Sequence, residues 1–493
     1  MTIAVAVSIL PRLIAMAGFR PALMTSDSFL YMREAVNHRL GEIRPSGYSM
    51  FLGLFSGLPH VLTVITALQH LMGIAIAVIV YALLRQAGLP GWGATLAALP
   101  VLLDPREIAL ESSILPDTLF CLVVLVAVVL LLRPRPGPWR CGGVALLLAY
   151  ATILRGNGIL LVVVVAAFLL LQRAAGRALL AFAAVFILAV GGYALGFHSE
   201  YGTYNLTASD GMFLWSRTTS FANCGVIKPP ADLRPLCPAA NVPTPVIPAS
   251  PPFSPANELT VGSPADYLWS ANAWWRRGPN AGFDPRNNAL AMRFALDAIT
   301  AQPLSYVRVV ATDVLLTFTG TDRPQDQADL SFTPQPRLSP LPGYYQSYLK
   351  AYANTTENTH PVYPWASLMF GYQQPVWFPG LLFLLIVVGG LAGVLLDWRR
   401  RGGPQLLPWA LAAVLIISPA ALTESLYRYA IAAIPLACLA AGLSWQRQRA
   451  ARVSPGAEPA EASGAGSVIV SQAGAPAAEA LQTPSTSAGA ANI

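Results

Sequence analysis

The sequence predicts a mainly α-helical, polytopic membrane protein with about ten spans and one large loop domain on the outer side of the membrane. Three observations carry that expectation. Of the 493 residues, 55% are hydrophobic and only 11% are charged, whereas soluble domains carry about 25% charge. The apolar residues gather into runs of roughly 17–25, the length that crosses a hydrocarbon core of about 30 Å. The basic clusters flanking short loops all fall on one side once those runs are counted.

The runs are expected to be helical, because lipid offers no partner for a free backbone N–H or C=O. They lie at 1–18, 61–84, 92–103, 117–132, 141–155, 158–172, 178–197, 377–396, 405–422 and 427–445. The first lacks a basic leading segment and is interrupted by Pro11 and Arg12. It therefore reads as a retained helix, not a cleaved signal, with the natural start slightly upstream. The third is short and is expected to begin a little earlier or to tilt. The stretch 303–320, PLSYVRVVATDVLLTFTG, is moderately apolar but carries Arg308 and Asp313, which are costly at mid-membrane. It reads as an interfacial or packed amphipathic helix of the outer domain. The sequence holds no convincing repeat of inverted halves.

Charge sets the expected orientation. With the N-terminus inside, the cytoplasmic loops carry Arg85, then Arg133, Arg135 and Arg140, then Arg173 and Arg177, then Arg399, Arg400 and Arg401, and finally Arg447, Arg449 and Arg452. That is the positive-inside pattern at five boundaries, with both termini cytoplasmic in a cell (plasma) membrane. The net charge of +7 is thus a topology signal; it forms no aromatic-interleaved patch for nucleic acid. Nearly all of it is Arg, with only Lys228 and Lys350 as lysines, which points to a GC-rich bacterial genome.

Four regions follow: a membrane module at 1–197 with about seven spans, an outer loop domain at 198–376, about three further spans at 377–446, and a tail at 447–493. The loop is too long for a connector. Cys224 and Cys237, in FANCGVIKPPADLRPLCP, face an oxidising compartment and are expected to form a disulfide. Cys121, Cys141 and Cys438 read as small buried hydrophobes. Residues 242–256 are Pro-rich and expected to be irregular. The Ala-, Pro-, Ser- and Gly-rich tail is expected to be disordered.

The outer ends of the spans collect the ionisable residues. The first outer loop carries Asp27, Arg33, Glu34, Glu42 and Arg44; the second carries Asp104, Arg106, Glu107, Glu111 and Asp117. Arg155 ends the fifth span, and Glu424 and Arg428 bracket the outer end of the tenth. A carboxylate there can take a proton from a hydroxyl, and Arg can hold a phosphate and neutralise a leaving one. Each also has a structural reading. Asp27 could cap the helix SFLYMREAVNHRL. Asp117 follows Pro116 at a helix start, where a carboxylate suits the dipole. Glu107 and Glu111 share a helix face that could simply be solvated. Glu424 and Arg428 could be an ion pair, and Arg155 could sit in a tight turn. His38, His60, His70, His198 and His360 have no metal-ligand spacing, and no nucleotide-binding or serine-hydrolase motif is present.

Several stretches together resemble the GT-C class of polytopic glycosyltransferases, the protein mannosyltransferase and lipid A aminoarabinose transferase group in particular. They are Asp27-Ser28-Phe29-Leu30-Tyr31, Arg44-Pro45-Ser46-Gly47-Tyr48, the run from Glu111 to Pro116-Asp117-Thr118, Leu154-Arg155-Gly156-Asn157-Gly158, and Tyr427-Arg428-Tyr429 with Pro435. The resemblance covers about 20–200 and 377–445; the outer loop and tail carry no family signature. It implies a polyprenyl-phosphate-linked sugar donor, inverting transfer on the outer face, and Asp27 as general base. Because nucleotide sugars are cytoplasmic, an outer site needs a lipid-linked donor; Arg44, Arg155 or Arg428 is then expected to stabilise the departing phosphate, with Tyr31, Tyr48 and Tyr427 against sugar or acceptor. Some members have two adjacent acids in the first loop. Asp27 has Ser on both sides, so a second acid comes from Glu111 or Asp117, or is not needed. The acceptor is a glycan, protein or lipid, and membrane lipids are the surroundings. No cofactor is certain, and a divalent cation stays open. The rival readings are a transporter or flippase for lipid-linked glycans, which would place ionisable groups at mid-membrane, and a non-catalytic membrane protein with a binding ectodomain.

Overall fold

In the computed structural model, the described residues are 1–133, 136–238, 264–270, 272–276, 281–319, 330–334, 340–376 and 378–453. All ten apolar runs are helices. They are α1 (Thr2–Gly18), α4 (Val61–Gln86), α5 (Gly91–Leu103), α7 (Asp117–Leu132), α8 (Pro138–Leu154), α9 (Gly158–Leu171), α10 (Gly176–Tyr201), α18 (Gly380–Leu396), α19 (Leu406–Leu422) and the pair α20 (Tyr427–Ile431) and α21 (Ile434–Val453). The tenth run is therefore broken after its first turn. The chain is a polytopic helical membrane protein. By length and composition, α4, α10 and Tyr427–Gln446 are long enough to cross a membrane alone; the other seven are shorter apolar helices. The last of the three is 78% buried over its apolar window and α10 only 17%. The former is thus the centre of the bundle and the latter its rim, where Leu180, Ile187, Leu188 and Leu195 point outward.

Between the spans lie α2 (Ser26–Asn37), α3 (Gly47–Gly53) and α6 (Pro105–Ser112). The long loop contributes α11 (Asp210–Thr218), α12 (Cys224–Ile227), α13 (Pro264–Trp269), α14 (Pro285–Ala301), α15 (Pro303–Leu316), α16 (Gly343–Ala353) and α17 (Trp365–Gln373). A two-residue ribbon pairs β1 (Phe19–Arg20) with β2 (His360–Pro361), Phe19 opposite Pro361. These elements gather at one end of the bundle, termed here the loop face. The described chain through Ala450 is one compact unit. The Pro-rich segment 242–256 and the tail beyond Val453 lie outside the described residues.

α15 lies across the bundle instead of spanning it, because both its ends meet the same ends of its neighbours. Tyr306 donates to the Ala421 carbonyl (3.1 Å), and Phe318 packs on Phe383 near the start of α18. Asp313 is buried and paired with Arg217 of α11 (2.8 Å). The loop domain has its own apolar core around Met212, Trp215, Leu236, Trp274, Trp275 and Phe294. The Cys224 and Cys237 sulfurs are bonded, with 13 residues of sequence separation. Closing a loop of this size stabilises by about 3 kcal/mol in the chain-entropy model. The double Ser variant is therefore expected to lower the unfolding transition in detergent. An equal transition with and without reductant in the unaltered protein would contradict this.

Candidate active site

Helix ends at the loop face deliver five ionisable side chains to one place. α2 begins at the N-cap Thr25, whose backbone N–H donates to Ser28 Oγ (3.0 Å). Asp27 therefore caps nothing. It stands in the first turn, where the helix dipole favours a carboxylate. Arg44 follows in the loop before α3, and Gly47 lets that loop press on the end of α8. A Cβ on Gly47 would stand 2.6 Å from the Ile153 carbonyl oxygen. Asp117 opens α7, Arg155 ends α8 and Arg428 lies in the short helix α20.

These residues form an alternating chain. Arg44 Nε lies 3.3 Å from Asp27 Oδ1, and Arg428 Nη1 lies 3.9 Å from Asp27 Oδ2. Arg428 Nη2 donates to Asp117 Oδ2 (3.1 Å), and Arg155 Nη1 donates to Asp117 Oδ1. Three guanidinium groups face two carboxylates, so the cluster carries one formal positive charge in excess. Asp117 is sealed, with 2% of its side chain exposed, whereas Asp27 keeps 15% and Arg44 23%. Tyr429, partly buried, lies under Arg155 (4.6 Å from guanidinium to ring centre).

Beside the chain is a small cavity of about 50 Å³, shared by Arg44, Tyr429, Thr423 and Glu424 with Phe213 and Trp269 of the loop domain. A second, water-sized space of about 10 Å³ lies behind Asp117, lined by Glu107, Thr118, Cys121 and the break between α20 and α21.

The structure thus brings together Asp27, Asp117, Arg44, Arg155 and Arg428, with Tyr31 within electrostatic reach of Asp27, Arg44 and Arg428, but not Glu111, Tyr48 or Tyr427. Glu111 is fully buried and held by Arg12 (2.7 and 2.8 Å) and His70 Nδ1 (2.7 Å). Tyr48 is fully buried with its hydroxyl on Gln69 (2.6 Å). Tyr31 is 3% exposed and packs on Tyr48, at 5.2 Å between ring centres. Tyr427 is buried under Arg106, 4.5 Å from its ring centre. Glu424 precedes α20, so it and Arg428 do not share a helix face. The Glu107–Glu111 face is buried, not solvated. Tyr429, Phe213 and Trp269 were not among the sequence candidates. Tyr429 adjoins a motif arginine and could have been found from it. Phe213 and Trp269 carry no sequence signal, because only the loop's folding brings them here. Among the described residues, no group of three or more His, Cys, Asp or Glu could hold a metal ion.

Glu34, on α2, is buried against Ser49 Oγ (2.7 Å). Burial pushes its carboxyl up from 4.5 to about 7, opposed by the Ser49 hydrogen bond and by Arg33. The folded state therefore favours the protonated form. Its penalty is absent below the unfolded value of 4.5, grows as pH rises to about 7 and is constant above. Glu34→Gln is expected to match the unaltered protein at pH 4 and to be more stable at pH 8 by roughly 3 kcal/mol. Thermal melts in detergent across that range would check it; a gap independent of pH would refute it.

No protein-family model and no curated protein sequence matches the chain. Among solved structures, it is similar to a protein O-mannosyltransferase complex of S. cerevisiae bound to the sugar donor. The identity is 13% and the TM-score 0.31, over 44% of this chain and 36% of that one. It is also similar to the oligosaccharyltransferase of Archaeoglobus fulgidus in the apo form (13%, TM-score 0.38, over 92% of this chain and 52% of that one). A third likeness is to ArnT from Cupriavidus metallidurans bound to undecaprenyl phosphate (13%, TM-score 0.33, over 90% and 77%). The chain thus spans about a third of the mannosyltransferase chain and about half of the oligosaccharyltransferase. These are of the class that the motif order resembles; their ligands and activities are properties of those proteins.

Proposed function

We propose that the chain is a membrane glycosyltransferase that moves a sugar from a polyprenyl-phosphate donor to a hydroxyl of a glycan, protein or lipid acceptor. The loop face lies outside the cell, as the placement of basic residues favours. One observation carries the reading: an arginine-rich chain of ion pairs at the helix ends, open to solvent at Asp27 and Arg44.

The acceptor hydroxyl gives its proton to Asp27, and its oxygen bonds to the anomeric carbon as the bond from that carbon to the phosphate oxygen breaks. The electron pair leaves with the lipid phosphate, whose added charge Arg44 and Arg428 neutralise. Charge developing in a partly dry site is stabilised more strongly than in water. Arg155 and Asp117 hold Arg428 in place through the ion pairs of the buried end. Glu111 acts as a positioning residue, since both its oxygens are engaged by Arg12 and His70.

A transporter or flippase would need charged groups free to change partners along a path through the membrane. Arg12, inside the first apolar helix, is instead locked by Glu111 and by the Ser8, Val101 and Leu102 carbonyls. Purified protein given polyprenyl-phosphate sugars and a membrane or wall extract as acceptor source tests the proposal. A new glycosidic bond is expected. Vectorial movement of the lipid sugar without a new bond would sink the transferase reading.

A further inference from the structure

We propose that α15 lies in the lipid leaflet at the loop face, with its outward side against acyl chains and Arg308 on the lipid phosphates, and that it anchors the segment leading into α20 to that surface. The proposal concerns the membrane and holds whether or not the chain transfers sugars.

The polarity of α15 is inverted. Leu304, Val307, Ala311 and Leu315 are spaced i, i+3, i+7 and i+11, so they form one stripe of the helix. All four point away from the protein: Leu304 is 84% exposed, Val307 61% and Leu315 62%, and Ala311 is exposed as well. The polar side chains are on the opposite side and face inward. Tyr306 donates to the Ala421 carbonyl (3.1 Å), Asp313 accepts from Arg217 (2.8 Å), and the Thr317 and Ser425 hydroxyls lie 2.9 Å apart. A helix washed by water on its free side shows the reverse, apolar inward and polar outward. A contiguous apolar stripe left facing out marks a surface that meets hydrocarbon or a partner.

Three features single out the leaflet. The stripe joins an apolar rim. The Phe318 carbonyl, just beyond α15, closes on the start of α18, where a Cβ on Gly380 would stand 2.5 Å from its oxygen. From there Leu381, Leu382, Leu385 and Val388 are exposed along α18. The helix is also too short to span: its 14 residues reach about 21 Å, against a hydrocarbon core of about 30 Å. Finally, Arg308 lies on the exposed side next to Val307, and its guanidinium has no hydrogen bond or ion pair among the described residues. Its stem can lie along apolar surface while its head reaches a phosphate at the headgroup level.

The inward side of the same helix holds residues 421–425. Besides the Tyr306 and Thr317 contacts, Asp313 lies 3.5 Å from the Ser425 backbone nitrogen. That segment leads directly into α20, which carries Arg428. α15 thus ties the ion-pair chain to the level of the leaflet surface.

The test uses the full-length protein in nanodiscs of equal parts phosphatidylcholine and phosphatidylglycerol. A nitroxide is attached at Val307→Cys and, as a control on an exposed position of α14, at Asp297→Cys. The native free cysteines are buried, and the unaltered protein treated with the label gives the blank. Collisions with oxygen, which concentrates in hydrocarbon, are compared with collisions with a water-soluble nickel chelate. The oxygen-to-nickel ratio is expected to be severalfold higher at Val307→Cys than at Asp297→Cys, at a depth of about 5–10 Å. Adding Arg308→Glu should lower the ratio severalfold at an unchanged melting temperature, and Arg308→Lys should keep it. Backbone hydrogen exchange at 423–426 should quicken severalfold in Arg308→Glu.

Equal ratios at the two labelled positions would put α15 in water and overturn the proposal. Low collision rates with both reagents at Val307→Cys would mean that protein covers the stripe, and would overturn it too. An unchanged ratio in Arg308→Glu would remove the phosphate contact. A ratio that falls with no change in exchange would remove the anchoring role.

Discussion

Asp27→Asn is expected to lower kcat by about 10²- to 10⁴-fold, the range general bases contribute, with little change in the KM for the lipid donor. The amide keeps the size of the side chain and an oxygen that can accept from Arg44 (3.3 Å in the unaltered protein). It cannot take a proton from the acceptor. The donor's phosphate is held by the arginines, so its binding should survive. A loss shared equally between kcat and donor affinity would show that Asp27 acts by orienting Arg44 and Arg428. Full activity at normal protein levels would remove Asp27 from the mechanism. Asp232→Asn is the matched control. Asp232 pairs with Arg293 on the surface, with 48% and 57% of the two side chains exposed. Exposed pairs contribute about 0–1 kcal/mol, so both rate and melting temperature should hold.

Arg12→Leu is expected to destabilise the fold by about 3–5 kcal/mol, the cost of stranding one member of a buried ion pair. Arg12 is 2% exposed and Glu111 0%. The guanidinium takes both carboxylate oxygens (2.7 and 2.8 Å) and also donates to the carbonyls of Leu102 (2.8 Å) and Val101 (3.2 Å). Those carbonyls end α5, where a helix leaves acceptors unfilled and a cation is favoured. One side chain thus ties α1 to α5 and α6. Gly73 on α4 makes the approach of Glu111 feasible, since a Cβ there would lie 1.8 Å from Glu111 Oε1. The double variant Arg12→Leu with Glu111→Leu should lose less than the single change, because no charge is stranded. Detergent melts of the two single variants and the double would measure the coupling. A double variant as unstable as the sum of the singles would mean that the two residues act independently.

Much of the site's composition was legible before folding. Asp27, Arg44, Asp117, Arg155 and Arg428 were each marked by lying at the same end of their spans, and they converge. The less legible part is what the convergence excludes. Glu111 and Asp117 looked equivalent in sequence, six positions apart in one loop. The short helix α6 turns Glu111 inward to Arg12 and His70, while Asp117 opens α7 towards Arg155 and Arg428. Tyr31 and Tyr48 belong to motif-like stretches yet pack in the core. Arg12 read as an interruption of the first span, but its guanidinium is bonded to Glu111 and to three backbone carbonyls, and α1 runs unbroken through it.

The apolar runs that form helices, the span ends at which the acids and arginines collect, and the two loop cysteines are all legible in the sequence alone. Those properties are one-dimensional: runs of apolar side chains long enough for a bilayer, and charges beside them. Tertiary structure alone decided the partners. The pairs of the chain join residues 17, 38 and 311 positions apart, and no local pattern encodes such distances. Which arginine meets which carboxylate depends on how helix ends pack. Whether a carboxylate is clamped or open depends on which face of a short helix the fold buries. The aromatic walls of the cavity depend on the loop domain closing over the bundle.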